Sequence, residues 1–136
     1  GLKNVVITNG SVSLEVLDEV LPWLDAFNID LKGFTDNFYR MVHGELEDVK
    51  RFIVRAAGKS HVEITTLIIP GLNDTEREIE EMAEWIASVR RDIPLHLNRF
   101  FPRYKMTDRE ATSPELLLRL AGAARNHLEY VRVGNC

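Results

Sequence analysis

Phe27-Asn28-Ile29-Asp30-Leu31-Lys32-Gly33-Phe34 decides the fold. Its first six residues alternate apolar and polar, so a strand here places Phe27, Ile29 and Leu31 on one face and Asn28, Asp30 and Lys32 on the other. Strands of parallel sheets are usually apolar on both faces, because helices cover them. A strand with one polar face therefore borders an interior or a mouth where ligand or water satisfies it, and Asp30 and Lys32 are close enough to pair. A structural Asp-Lys pair and a ligand site are both open on spacing alone.

Working outward, four more short apolar runs appear: Val5 to Ile7, Val62 to Ile69, Leu95 to Leu97, and Tyr130 to Val133. Leu14, Leu17, Leu21 and Leu24 at helical spacing separate the first strand from the second. The later gaps carry Leu46, Val49, Ile53 and Ala56, then Ile79, Met82, Ala83, Ile86 and Val89, then Leu117, Leu120, Ala121 and Ala124. Each set makes an apolar helix stripe. Thr75 with Glu78 has capping-box spacing, and Ser113 before Pro114 puts a cap ahead of a first-turn proline. Strands joined through helices run parallel by right-handed crossovers, so the class is α/β and one domain spans residues 1–136.

Composition excludes several functions. The 136 residues are 45% apolar and 28% charged, with a net charge of -4 and both signs interspersed, so no basic stripe suits nucleic acid. No apolar run approaches the roughly 20 residues of a membrane span. A cytoplasmic location is expected. Cys136 is the single cysteine, which leaves no intrachain disulfide and no site of several thiolates. A strand-like run begins within a few residues of Gly1 and another stops just before Cys136, so both ends read as cuts in a longer polypeptide. His43, His61, His96 and His127 lack metal-ligand spacing and read as structural or surface residues; no metal site is expected. Glycine-rich phosphate loops, nucleophile elbows and Cys-His pairs are absent from the sequence.

Other polar residues gather at strand ends: Thr8-Asn9-Gly10, Thr65 and Thr66, and Arg99. Parallel folds place their sites at the C-terminal strand edge. Pro70-Gly71-Leu72-Asn73-Asp74 reads as a turn feeding a helix.

Taken in order, Thr8-Asn9-Gly10, Asn28-Ile29-Asp30-Leu31-Lys32-Gly33-Phe34 and Thr65-Thr66-Leu67-Ile68-Ile69-Pro70-Gly71-Leu72-Asn73-Asp74 resemble the radical S-adenosylmethionine (SAM) enzymes related to pyruvate formate-lyase-activating enzyme. Pro94 to Met106 looks most like the branch whose genes accompany Memo-like proteins. The resemblance implies a partial (βα) TIM-type barrel, with about five parallel strands in sequential order and helices on the convex face. It implies a parent enzyme that cleaves SAM at a [4Fe-4S] cluster to give a 5'-deoxyadenosyl radical, an activity like that of glycyl-radical activases being one form. Thr8, Asn9, Asn28, Asp30, Lys32, Thr65 and Leu67 are then the cofactor-binding residues. Asp30 and Lys32 match the family's DLK element near the methionine end, and Thr65 and Leu67 lie on the strand lining the adenine side.

Two departures matter. The family's CxxxCxxC loop and its Gly-Gly-Glu element are absent, so the resemblance implies no catalytic residue in this chain, no bound cofactor and no activity of the chain alone. Related sequences also carry histidine where Phe101 stands, and phenylalanine cannot donate that hydrogen bond. The substrate is not legible, a protein being one option, and the open sheet edges are expected to favour self-association. Competing readings are a self-standing flavodoxin-like or receiver-like binding module and a non-catalytic barrel fragment; strand order separates the first from a barrel.

Overall fold

The structure, a computed structural model, describes residues 4–102 and 110–134. Arg103 to Met106, part of the Memo-branch resemblance, and Cys136 lie outside the described residues. The order is β1 (Val5–Thr8), α1 (Leu14–Val20), β2 (Ala26–Asp30), α2 (Asp36–Met41), α3 (Leu46–Ala57), β3 (His61–Ile68), α4 (Glu76–Val89), β4 (Leu95–Arg99), α5 (Pro114–Arg125) and β5 (Val131–Gly134). The five strands form one sheet in the order β1-β2-β3-β4-β5, every pair parallel. A flavodoxin-like sheet runs 2-1-3-4-5, so that alternative is excluded.

Sequential order with right-handed crossovers puts every connecting helix on one side of the sheet. Side-chain parity shows the result. Phe27, Ile29, Leu31, Val62, Ile64, Ile68, Leu95, Leu97 and Val131 are buried on the helix side, against Leu17, Val49, Ile53, Ile79, Met82, Ile86, Leu117 and Leu120 from the helices. Burying each such side chain contributes about 1.5–3 kcal/mol, which makes this one-sided core the main source of stability. Among the described residues no helix covers the opposite face. There Val5, Ile7 and Leu67 are exposed although apolar, Ile7 to 81%.

Local signals explain the helix limits. Ser13, Thr35, Thr75 and Ser113 each accept a backbone N–H two or three residues into α1, α2, α4 and α5. The stripe through Leu21 and Leu24 predicts a longer first helix than is found, because Pro22 cannot continue it. Leu21–Trp23 forms a 3-10 turn instead, and Leu24 is extended. The short helix α2 escapes the periodicity because it is only six residues long.

Candidate functional site

The alternation in β2 lands as its pattern requires, with Asn28 and Asp30 on the open face. Lys32 follows just beyond the strand end, its ammonium 3.9 Å from the Asp30 carboxylate, and both side chains are about half exposed. Thr65 is the register partner of Asp30. Its hydroxyl donates to the Asn28 carboxamide oxygen at 2.9 Å. Leu67 stands on the same face toward the C-terminal edge of β3. Asp30, Lys32, Thr65 and Leu67 line one cavity of about 170 Å³, with Phe38, Val42 and Ile69. Lys32 also reaches a neighbouring cavity of about 560 Å³, shared with Asn9, Ser11, Tyr39, Arg40 and His43. The structure thus brings Asn9, Asn28, Asp30, Lys32, Thr65 and Leu67 to one sheet edge.

Thr8 stands apart. It is the register partner of Ile29, so it falls on the helix side, and its hydroxyl accepts the Gly10 N–H at 3.1 Å. Its part is to shape the turn that presents Asn9. In that turn the Asn9 carboxamide oxygen accepts from the backbone and hydroxyl of Ser11, and Gly10 takes a φ of +74° that favours glycine.

The backbone beneath Asp30 and Lys32 is clamped on every side, by residues that the sequence patterns do not single out as site residues. Thr66, fully buried, donates its hydroxyl to the Leu31 carbonyl at 2.7 Å. The Tyr39 hydroxyl accepts the Lys32 N–H at 3.0 Å. Burial pushes the Tyr39 phenol up to about 12, which keeps it neutral. Asn73 donates to the Lys32 and Leu67 carbonyls, both at 2.8 Å, and accepts the Ile69 N–H at 2.7 Å. Glu78 accepts the Phe34 N–H at 2.8 Å.

Glu78 departs from the capping box that its spacing predicts. Its N–H bonds Thr75, but its carboxylate turns away from the helix start to hold the loop after Lys32. Burial raises its pKa above the ordinary 4.5, offset in part by the Phe34 hydrogen bond. Gly33 makes room for this arrangement, since a Cβ there would lie 2.8 Å from the Phe38 ring and 3.1 Å from the Glu78 carboxylate.

A second polar group occupies the open face. Glu63 accepts from both imidazoles beside it, with His96 Nε2 at 2.6 Å and His61 Nε2 at 3.1 Å. The His96 hydrogen bond, foremost, holds the Glu63 carboxyl below its usual range. Spacing along the chain could not reveal this group, because Glu63 and His96 meet only through the β3–β4 register. At the rim, Arg99 donates to the Thr112 carbonyl at 2.6 Å and lies 4.6 Å from the centre of the Phe101 ring.

Chemically, the Lys32 ammonium and Asp30 carboxylate can meet the carboxylate and amino group of an amino acid. An iron-sulfur cluster is a different matter. Such clusters are held by several thiolates, and Cys136 alone cannot supply them. Among the described residues no group of three or more His, Cys, Asp or Glu is arranged to hold a metal ion. No helix among them is long and apolar enough to cross a membrane.

Comparisons with known proteins agree with this picture. An uncharacterized protein of Methanocaldococcus jannaschii is 39% identical over 99% of this chain, which spans 41% of that relative's length. Among solved structures, a domain of pyruvate-formate lyase-activating enzyme from Bacteroides vulgatus superposes with a TM-score of 0.84 at 22% identity, over 99% of this chain and 83% of that one. A radical SAM methyltransferase from Sphaerobacter thermophilus gives 0.68 at 14% identity, over 95% and 39%. These likenesses establish the partial-barrel fold. The model of the radical SAM superfamily matches residues 1–86, the stretch that carries β1 to β3 and both the Asp30–Lys32 and Thr65–Leu67 elements, and the chain therefore belongs to the radical SAM superfamily.

Proposed function

We propose that this chain forms part of a radical SAM enzyme and contributes the side of the pocket that holds the amino-acid end of SAM. The observation that carries the reading is the pairing of Asp30 and Lys32 over a cavity shared with Thr65 and Leu67, at the C-terminal edge of a parallel sheet. Lys32 offsets the methionine carboxylate, and Asp30 orients the amino group. Thr65 and Leu67 border the adenine side, with Asn28 fixed by Thr65 beneath them, while Asn9, set by the Thr8 turn, faces the same mouth. SAM supplies the radical-forming chemistry when bound.

The cluster that such chemistry needs is outside this chain's donor set. We therefore expect the chain by itself to be inactive, with its partner residues on further sequence of the kind its longer relative carries. The soluble folds of the family support a cytoplasmic location. An activase-like reaction on a protein glycine, in the Memo-associated branch, is the finer reading; its support is the likeness in fold and the Pro94–Met106 motif.

The test is Lys32→Ala in a longer polypeptide that includes a cysteine triad. Calorimetry should show SAM affinity falling at least about tenfold, the size of one charge-assisted contact, with the melting temperature little changed. Unchanged affinity would refute the site assignment. Anaerobic iron and sulfide should yield a [4Fe-4S] Mössbauer signal in that polypeptide and none in the present chain; stoichiometric cluster in the present chain would overturn the division proposed here.

A further inference from the structure

Level with Asp30, one polar row crosses four strands of the open face. Asp30, Thr65, His96 and Arg132 are successive register partners on β2, β3, β4 and β5. Arg132 therefore stands three strand spacings from Asp30, about 14 Å.

The acids on this face are already engaged. Asp30 lies beside Lys32, and both oxygens of Glu63 are taken, one by His96 and one by His61. Among the described residues the Arg132 side chain makes no ion pair or hydrogen bond, and His96 keeps its second ring nitrogen, Nδ1, free of one. An arginine and an imidazole with an open nitrogen thus stand side by side on a face that parallel sheets normally make apolar. Glu63 is not spare to neutralise them, because its hydrogen bonds instead fix the His96 ring.

We infer that the β4–β5 half of the open face binds an oxyanion, a carboxylate or phosphate group carried by the substrate, through the Arg132 guanidinium and His96. The planar fork of arginine matches two oxygens of either group, and His96, whose Nε2–H is given to Glu63, donates a third contact from Nδ1 in its doubly protonated form. The row then has two ends. Lys32 and Asp30 take the amino-acid end of SAM, and Arg132 holds the substrate about 14 Å away, with Thr65 between them. The inference rests on the open face being the reaction face proposed above.

The present chain tests it directly. Sodium phosphate and, separately, sodium acetate are titrated at constant ionic strength while the side-chain nitrogen signals of Arg132 and His96 are followed by NMR. Saturating shifts at both residues are expected, and the anion that binds tighter identifies the group. Arg132→Gln should weaken that binding about tenfold with an unchanged circular dichroism spectrum, and Arg132→Lys, which keeps the charge but loses the fork, should recover only part of it. Shifts that do not saturate, that spread equally over all arginines, or that keep the wild-type affinity at His96 in Arg132→Gln would overturn the inference. Lys32→Ala should leave anion binding intact, so this site and the SAM site can fail independently.

Discussion

The side-chain nitrogen of Asn73, in the turn after β3, donates to the main-chain carbonyl of Lys32 at 2.8 Å, joining two strand ends that lie 41 residues apart in sequence. Since the same carboxamide also bonds Leu67 and Ile69, one 1%-exposed side chain sets the relative position of both halves of the cavity lined by Lys32 and Leu67. Asn73→Ala leaves three main-chain groups unpaired. A loss of about 2–4 kcal/mol is expected in urea unfolding. Asn73→Asp should be no better, because it replaces the donor with a charged oxygen facing two carbonyls. Wild-type stability in either variant would show that water replaces the clamp.

Two glycines should respond unequally to alanine. At Gly33 the new methyl meets the Phe38 ring, which is 5% exposed and packed in the core, together with the Glu78 carboxylate. Overpacking of this kind costs about 1–3 kcal/mol. At Gly134, among the described residues, the methyl overlaps the carboxamide oxygen of Asn98, the movable end of a side chain on the open face. Gly134→Ala should change stability by less than about 0.5 kcal/mol, because alanine suits a strand and the amide can rotate. Thermal melts of the two variants decide this; equal losses would contradict the packing described.

Much of this arrangement follows from residues that a sequence reading can reach. The Asn28-Asp30-Lys32 alternation gives the polar face of β2 directly, since parity is a local property. In β1 the run Val5-Val6-Ile7 carries no polar alternation, so nothing local reveals that Thr8 turns toward the helices. Glu63, His96 and Arg132 are separated by more than thirty residues at each step, and only the strand register makes them neighbours. Glu78 is legible as a helix-start residue, and it does sit there; its choice of Phe34 over the helix end depends on how closely α4 approaches the loop after Lys32. Tyr39 and Asn73 act through main-chain groups of distant residues, a role that residue type and spacing do not encode.

Glu63 and Glu78 should give stability opposite dependences on pH. The folded-state pKa of Glu78 is raised, so its contribution is fully present below the ordinary 4.5 and is lost as pH rises through the raised value. For Glu63 the folded-state pKa is lowered, so its contribution is present above 4.5 and is lost as pH falls through the lowered value. Urea midpoints measured across the acid range should therefore fall less with rising pH in Glu78→Gln than in wild type. In Glu63→Gln they should fall less on acidification. A variant that reproduces the wild-type profile would remove that carboxyl from the account.

Self-association should run through β1 rather than β5. Both are edge strands among the described residues, and an unpaired edge is a template for another strand. What separates them is side-chain chemistry. On its open face β1 presents Val5, 61% exposed, and Ile7, 81% exposed, whereas β5 presents the charged Arg132, a residue type that discourages edge pairing. Sedimentation at rising concentration should therefore reveal dimers, and Ile7→Lys should return the chain to monomer without lowering its melting temperature, because Ile7 is largely solvated already. Arg132→Gln should leave the dimer in place. A chain that stays monomeric at high concentration, or a dimer indifferent to Ile7→Lys, would mean that the β1 edge is not adhesive.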